Sequence, residues 1–303
     1  MSDRRVDVCA NCGIESAGDA VKLKDCTACR LIKYCGVDCQ RAHRRQHKKA
    51  CKKRAAELKD ERLYGQGCER PEGHICPICT LPIPLPMNEH SGFYICCTKR
   101  VCYGCVVAAG KRDIFDCPFC RTPALEDEAI LLAKLQKRAD AKDPTALEAL
   151  GEQYGTGKCG LEKDVPRAIE LWSEAAGLGS QDSHFNLGIR YFEGDGVPRD
   201  AAKGVYHWEE AAMQGHVLAR HNLGNHETQN GNYERAVRHW LISAKMGEKW
   251  SLDAIKDMFV DGIATKQQYA SALKGYQAAM EEMKSHDRDV AEEELASMRS
   301  TAG

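Results

Sequence analysis

From about residue 143 onward the apolar positions of this chain return in register. Leu150-Gly151, Leu187-Gly188 and Leu223-Gly224 align, as do Trp172, Trp208 and Trp240, then Ala175-Ala176, Ala211-Ala212 and Ala244, then Gly179, Gly215 and Gly247. The offsets are 36 or 37 residues between the first two units, and 36 then 32 between the second and third. The shortening falls where Gln229-Asn-Gly-Asn232 replaces a longer loop. A repeat of this size predicts helix-turn-helix units stacked into an α-solenoid. Leu-Gly-x-x-Tyr (Leu150 to Tyr154, Leu187 to Tyr191) belongs to the first helix of a unit, where glycine lets a neighbour approach closely. Gly194-Asp-Gly196-Val-Pro198 makes the turn. The second helix carries Ala201, Trp208 and Ala211-Ala212 at helical spacing, and Gly215 closes it. A fourth, degenerate unit follows with Phe259, Gly262, Tyr269, Tyr276 and Ala278-Ala279. Such regular recurrence assigns the Trp and Tyr positions to the core.

Ahead of the repeats the pattern changes. Arg41–Arg54 reads as helix, with eight basic residues among fourteen. A polar connector over 55–75 starts helical (Ala55–Leu63) and breaks at Gly65, Gly67 and Pro71. The charged tail over 282–303, with Glu292–Glu294, is expected to be a solvated helix that frays before Gly303. A chain of 303 residues should divide into two or three units.

Net charge is −1, yet the halves differ. Residues 1–125 hold 22 Lys+Arg against 14 Asp+Glu, and the remainder holds 21 against 30. The basic stretch over 41–54 suits a phosphate backbone or an acidic protein surface, including the acidic half of the same chain. Nucleic acid is the lesser reading, because no aromatic residue interleaves the run for base stacking. No run of 18 apolar residues occurs, and Met1-Ser-Asp-Arg-Arg-Val-Asp carries no apolar signal region. The expectation is an intracellular protein, cytoplasmic or nuclear, with no membrane partner.

Seventeen cysteines are present, sixteen of them before residue 121. That crowding in C-x2-C pairs points to reduced thiolates on metal rather than to disulfides. Cys68 and Cys159 fall outside the pattern. In the first 51 residues eight ligand candidates stand as Cys9/Cys12, Cys26/Cys29, Cys35/Cys39 and His47/Cys51. Two-residue gaps let one tight turn present two sulfurs, and the x3 gaps place ligands one helical turn apart. Eight ligands make two closed structural zinc sites with no position left for a reactive water.

This order of pairs, with Tyr34-Cys35-Gly36-Val37-Asp38-Cys39-Gln40 followed by His43, His47 and Cys51, resembles the MYND zinc finger. The resemblance implies interleaved ligation: Cys9, Cys12, Cys35 and Cys39 on one ion, and Cys26, Cys29, His47 and Cys51 on the other. His43, four residues before His47, is a rival ligand or a supporting hydrogen-bond partner. MYND modules dock short proline-containing peptides through a glutamine matched by Gln40 and a tryptophan four residues later. Here that later position is Arg44.

A second cluster follows: Cys76-Pro-Ile-Cys79, Cys96-Cys97, Cys102-Tyr-Gly-Cys105 and Cys117-Pro-Phe-Cys120. Its outline over 76–124 resembles a RING domain, also cross-braced around two zinc ions. The resemblance implies Cys76, Cys79, Cys102 and Cys105 on the first ion and Cys97, Cys117 and Cys120 on the second. Lys99 occupies the usual place of the remaining ligand, and a protonated amine has no lone pair to give. Cys96 could supply a fourth thiolate, or His90 could reach in; otherwise the site stays incomplete and packing around Ile95 and Phe115 compensates. RING ligases work by positioning an E2 ubiquitin-conjugating enzyme. The contact positions of that family fall on Ile78, Pro118, Phe119 and Arg121, while Ala109 stands where an aromatic is common. The alternative for the three apolar positions is that they only pack the zinc core.

The repeats resemble Sel1-like repeats, one of the tetratricopeptide-type solenoids, over about residues 143–281, within an array spanning 125–281. Such an array implies a concave face for extended peptides or partner helices. His184, His207, His216, His221, His226 and His239 fall at differing repeat phases without ligand-spaced partners, which argues against a metal site there. No GxSxG, GxxxxGK[ST] or HExxH motif occurs. No segment carries the catalytic motifs of the MYND-containing lysine methyltransferases, and no catalytic residue is assigned. The expected architecture is multidomain and mainly α: a MYND-like finger over 1–54 and a RING-like module, each a small cross-braced zinc unit, then the solenoid. The expected function is an intracellular adaptor on three or four structural Zn2+ ions that binds other proteins. A RING-type E3 ligase whose solenoid selects substrate is the alternative.

Overall fold

The computed structural model describes residues 7–16, 21–123 and 127–301. The chain divides into two compact units, residues 1–65 and 66–303. In the first, strands β1 (Lys24–Asp25) and β2 (Lys33–Tyr34) pair antiparallel, with Lys24 opposite Tyr34. Helix α1 (Val37–Gly65) follows. Its core holds Cys9, Cys26, Cys29 and Tyr34, all nearly inaccessible. A core built so largely of sulfur buries little apolar surface, which suits a fold that a metal would complete.

The finger was expected to end at residue 54 and the connector to start helical over Ala55–Leu63; one unbroken helix, α1, spans both and ends at Gly65. Arg54 donates to Glu57 at 3.2 Å and to Glu61 at 2.6 Å, and Lys53 lies 4.0 Å from Glu57. These same-face pairs, with no glycine or proline before Gly65, carry the helix through the first half of the expected connector. Residues 66–75 are no free linker either. Arg220 donates to the Gln66 carbonyl, and Gly67, at φ +60°, lies so close to the Ala212 carbonyl that a Cβ would sit 2.1 Å from it.

The second unit begins with a cysteine-rich module: a 3-10 turn at Glu72–His74, the short helix α2 (Met87–His90), strands β3 (Ser91–Tyr94) and β4 (Lys99–Cys102), and helix α3 (Tyr103–Gly110). The strands pair antiparallel from Ser91–Cys102 to Tyr94–Lys99. Ile83, Val101, Cys76 and Cys102 form its core. The boundary expected at 124/125 lies outside the described residues.

Helix α4 (Glu128–Asp140) then leads into antiparallel pairs: α5 (Pro144–Thr156) with α6 (Val165–Gly177), α7 (Gln181–Glu193) with α8 (Ala201–Met213), α9 (Val217–Gln229) with α10 (Tyr233–Lys245), and α11 (Lys249–Val260) with α12 (Lys266–Glu282). Side-chain caps start most of them. Asp143, Asp164, Ser180 and Asp200 accept backbone N–H bonds, and Thr265 with Gln268 forms a capping box. Across each of the first three pairs the glycine of the first helix receives the tryptophan of the second. A Cβ on Gly151, Gly188 or Gly224 would lie 2.6, 2.3 or 2.3 Å from the ring of Trp172, Trp208 or Trp240. All three indoles are buried.

The segment expected to be a solvated tail is a packed element. Helix α13 (His286–Thr301) lies against α3, with Ala291 buried and Lys111 3.0 Å from Glu294. Arg288 anchors it, donating to the carbonyls of Pro82 and Met283 at 2.6 Å and of Leu81 at 3.2 Å. Charge on one face of this helix concealed that its other face is covered.

Candidate metal centres and interaction grooves

The sixteen ligand candidates gather into four groups, with the ligand atoms of each within 4.8 Å of one another. Cys9 and Cys12 meet Cys35 and Cys39, and Cys26 and Cys29 meet His47 and Cys51. Cys76 and Cys79 meet Cys102 and Cys105, and Cys96 and Cys97 meet Cys117 and Cys120. In both modules the pairs interleave, the first with the third and the second with the fourth.

The local fold explains how two sulfurs leave one turn together. In the pairs starting at Cys9, Cys26, Cys76 and Cys117, the first cysteine's carbonyl accepts the N–H four residues later, from Gly13, Arg30, Thr80 and Arg121, at 2.8–2.9 Å. That residue is left-handed each time, at φ +73°, +55°, +58° and +62°. Only Gly13 adopts this conformation without steric cost, and for β-branched Thr80 it is a true outlier. The strain marks turns fixed by what their sulfurs hold.

Across the groups, sulfur–sulfur approaches of 3.5–3.8 Å occur: Cys12–Cys35, Cys35–Cys39, Cys26–Cys51, Cys76–Cys105, Cys79–Cys102, Cys97–Cys117 and Cys96–Cys120. A tetrahedron with metal–sulfur bonds of ~2.3 Å has edges of about 3.8 Å, whereas a disulfide needs ~2.05 Å. The His47 Nε2 lies 3.1 Å from Cys29 Sγ. His43 stands outside that group, hydrogen-bonded through Nδ1 to the Tyr34 hydroxyl at 3.2 Å and stacked on His47. In the fourth group the structure places Cys96, and not His90, beside the other three sulfurs. Lys99 turns away, its ammonium 5.9 Å from the centre of the Phe119 ring.

Charge within the groups fits a divalent cation. Backbone N–H groups led by that of Cys12 hold the Cys9 thiol down at about 6, while Cys39 beside it pushes Cys35 up to about 12. Burial pushes Cys51 up to about 11 and Cys96 up to about 12. Burial opposes ionisation of Cys120 as well, yet bonds from Thr122 bring it to about 6. Each group thus favours some thiolates and resists others, since packed anions repel. A positive ion removes that conflict, and thiolate with imidazole is the donor set zinc prefers.

Of the positions matched to E2 contacts, Ile78 is 43% and Phe119 45% exposed, so neither packs the core of its module. Pro118 is half-buried between Cys117 and Phe119, and Arg121 is exposed.

Two grooves accompany the metal centres. In the finger, Tyr34, Val37, Gln40, Arg44 and Lys48 are among the residues around a groove of about 430 Å³. In the second unit a cleft of about 900 Å³ opens between the β3–β4 hairpin and helices α5 and α7, with Phe93 and Arg100 facing Glu148 and Asp182. Burial, with Asp182 and Glu152 alongside, pushes the Glu148 carboxyl well above the usual carboxylate range. Asn186 donates to it at 3.4 Å.

One further group has no signature in the sequence. His74 and His216 each place Nε2 3.4 Å from the same Asp182 oxygen. The Nδ1 of His216 accepts the Ala219 N–H at 3.1 Å, capping α9. A neutral imidazole has one proton, so Nε2 carries it and donates to Asp182 instead of binding a metal. Burial holds His216 neutral, down at about 3. Burial acts against the Asp182 charge too, but the His74 hydrogen bond prevails and sets its carboxyl at about 2. The trio therefore ties the 3-10 turn to the second and third helix pairs.

Closed sulfur-rich centres on knuckle turns, together with stacked helix pairs, define a metal-stabilised interaction protein. Residues 9–51 match the MYND finger, and residues 144–180, 181–216 and 218–248 match the Sel1 repeat. The finger implies zinc, and the cysteine groups fit it. The chain is 30% identical over 131 residues to chitin synthase regulatory factor 4 of Schizosaccharomyces pombe, covering 43% of this chain and 20% of that protein. It is 27% identical over 153 residues to the uncharacterized protein NMB1327 of Neisseria meningitidis, covering 50% of this chain and 32% of that one. It thus spans between a fifth and a third of these relatives' lengths. Among solved structures, a Sel1 repeat protein from Oxalobacter formigenes is similar at 21% identity and a TM-score of 0.46, covering 60% of this chain and 72% of that one. The antigen c5321 of uropathogenic Escherichia coli is similar at 28% and 0.43, covering 50% and 33%.

Proposed function

We propose that this chain is an adaptor whose four zinc ions shape binding surfaces and take no part in a reaction. The observation that carries this reading is closure: each of the four groups offers four protein ligands, so none keeps a position for a substrate or a nucleophilic water. Zinc would be held by the four groups as they stand, with Cys96 completing the last. The modules then present the finger's groove, around Gln40, and the cleft on α5 and α7 to partner proteins. Thiolate sites of this kind persist in a reducing compartment, which supports a cytoplasmic or nuclear location. A photoreactive side chain at Thr145, inside the cleft, should cross-link partner proteins in cells. The same group at Arg167, on the outer surface, should not. Equal capture from both positions, or none from Thr145, defeats the adaptor reading for the array.

A second reading, a RING-type ubiquitin ligase, draws support from the exposure of Ile78 and Phe119. An apolar pair displayed beside two zinc knuckles is what an E2 enzyme would rest on. The packing of α13 against α3 narrows the surface left for it. Mixing the protein with a panel of ubiquitin-charged E2 enzymes decides between the two. Thioester discharge that falls on Ile78→Ala favours the ligase, and no acceleration with any E2 removes it.

A further inference from the structure

The charges of helix α1 are sorted by face. On one side Lys53 and Arg54 are paired with Glu57 and Glu61. On the other, Gln40, Arg41, Arg44, Lys48 and Lys52 follow one another at helical spacing along the finger's groove. Arg41 lies 3.8 Å from Asp38, but among the described residues no carboxylate pairs with Arg44, Lys48 or Lys52. The neighbouring ligand group, three thiolates and an imidazole around a divalent ion, contributes a single negative charge. Three unpaired cations outweigh it, so the groove carries a net positive field.

The floor of the groove is the ligand group itself, through Cys26, His47 and Cys51, and apolar residues flank it. Val37 stands at its mouth, 60% exposed, and Ala28 and the Tyr34 ring also line it. Tyr34 is only 3% exposed, so no aromatic face in this groove is available for a base to stack on. A volume of about 430 Å³ takes a few side chains rather than a helix or a duplex.

We propose that this groove binds an acidic segment of a partner protein, with an apolar residue seated on Val37 and flanking Asp or Glu side chains on Arg44, Lys48 and Lys52. The inference rests on reading the finger as a peptide-docking module and names the class of peptide. Arg44 supplies a planar fork that can hold a carboxylate through two bonds, and the lysines add charge along the segment's path. Association should be fast and salt-sensitive, since the attraction acts before contact.

The test pans a phage-displayed random 12-mer library on the full-length, zinc-loaded protein. Clones that also bind the Arg44→Glu/Lys48→Glu double variant are removed. Both substitutions are on exposed side chains, and native mass spectrometry checks that the double variant keeps the wild-type zinc content. Clones specific to wild type should carry Asp or Glu on either side of an apolar residue. Synthetic peptides made from them should bind at least tenfold more weakly to the double variant, and within twofold of wild type to Lys49→Glu, an exposed residue outside the groove. Specific clones that are neutral or proline-rich would overturn the acidic assignment and leave peptide docking intact. A lack of any clone distinguishing the two proteins would defeat both. An oligonucleotide that binds more tightly than the peptides, and loses binding in the double variant, would make the surface one for nucleic acid and end the proposal.

Discussion

Substituting Gly188 by alanine tests the packing rule on which the repeats are built. The added Cβ would lie 2.3 Å from Trp208 Cδ1 and 2.4 Å from its Nε1, about 1 Å inside ordinary contact. The ring cannot swing clear, because it is 5% exposed and is flanked by Phe192 at 4.8 Å between centroids. Overpacking of this kind costs ~1–3 kcal/mol, while replacing a helical glycine by alanine returns up to ~1 kcal/mol. The net expectation is a loss of about 1–2 kcal/mol. Gly177 supplies the control, since a Cβ there meets nothing within 4 Å, and Gly177→Ala should stabilise the array by about 0.5 kcal/mol. All four tryptophans lie between residues 172 and 250, so fluorescence during urea unfolding reports the array alone, which sidesteps the multi-unit character of the chain. Combining Gly188→Ala with Trp208→Leu should recover much of the loss relative to Trp208→Leu alone. Gly188→Ala as stable as wild type, or gaining stability as Gly177→Ala does, would refute the close approach of glycine and indole.

Three further outcomes follow from the structure. Native mass spectrometry should count four zinc ions in the wild type, three in Cys96→Ser and four in His90→Ala; four in Cys96→Ser would show that Cys96 is no ligand. His216 is held at about 3, below its ordinary 6.5, so the unfolded chain binds the extra proton between these values and stability falls as pH drops from about 6.5. His216→Asn keeps the cap on α9 and should lessen that fall by up to ~1.4 kcal/mol per pH unit in excess zinc; identical pH slopes would discount the buried neutral imidazole. Arg288→Met strips three carbonyls and the Cys79 sulfur, 3.4 Å away, of their donor. It should weaken the seat of α13 by about 2–4 kcal/mol and expose residues 286–301 to limited proteolysis, a result excluded if they stay as protected as in wild type.

What could be read from the residues in order was what local physics encodes. C-x2-C and H-x3-C gaps are short enough for one turn to set two ligands, and a 36-residue recurrence is the imprint of one helix pair stacking on the next. The Leu-Gly and Trp positions were legible for the same reason, because each repeat must solve the same packing problem. Along the chain helix α13 reads as a solvated tail, since its charged face is visible there and its covered face is not. The gathering of Cys96 with Cys97, Cys117 and Cys120, the left-handed residue after each knuckle and the binding of residues 66–75 to the array depended on three-dimensional arrangement. So did the meeting of His74, Asp182 and His216, and the reach of Arg288 to Leu81 across 207 positions. Local spacing constrains which atoms can share a turn. Only the folded chain, where burial and hydrogen bonding act between distant segments, selects which turns and faces come together.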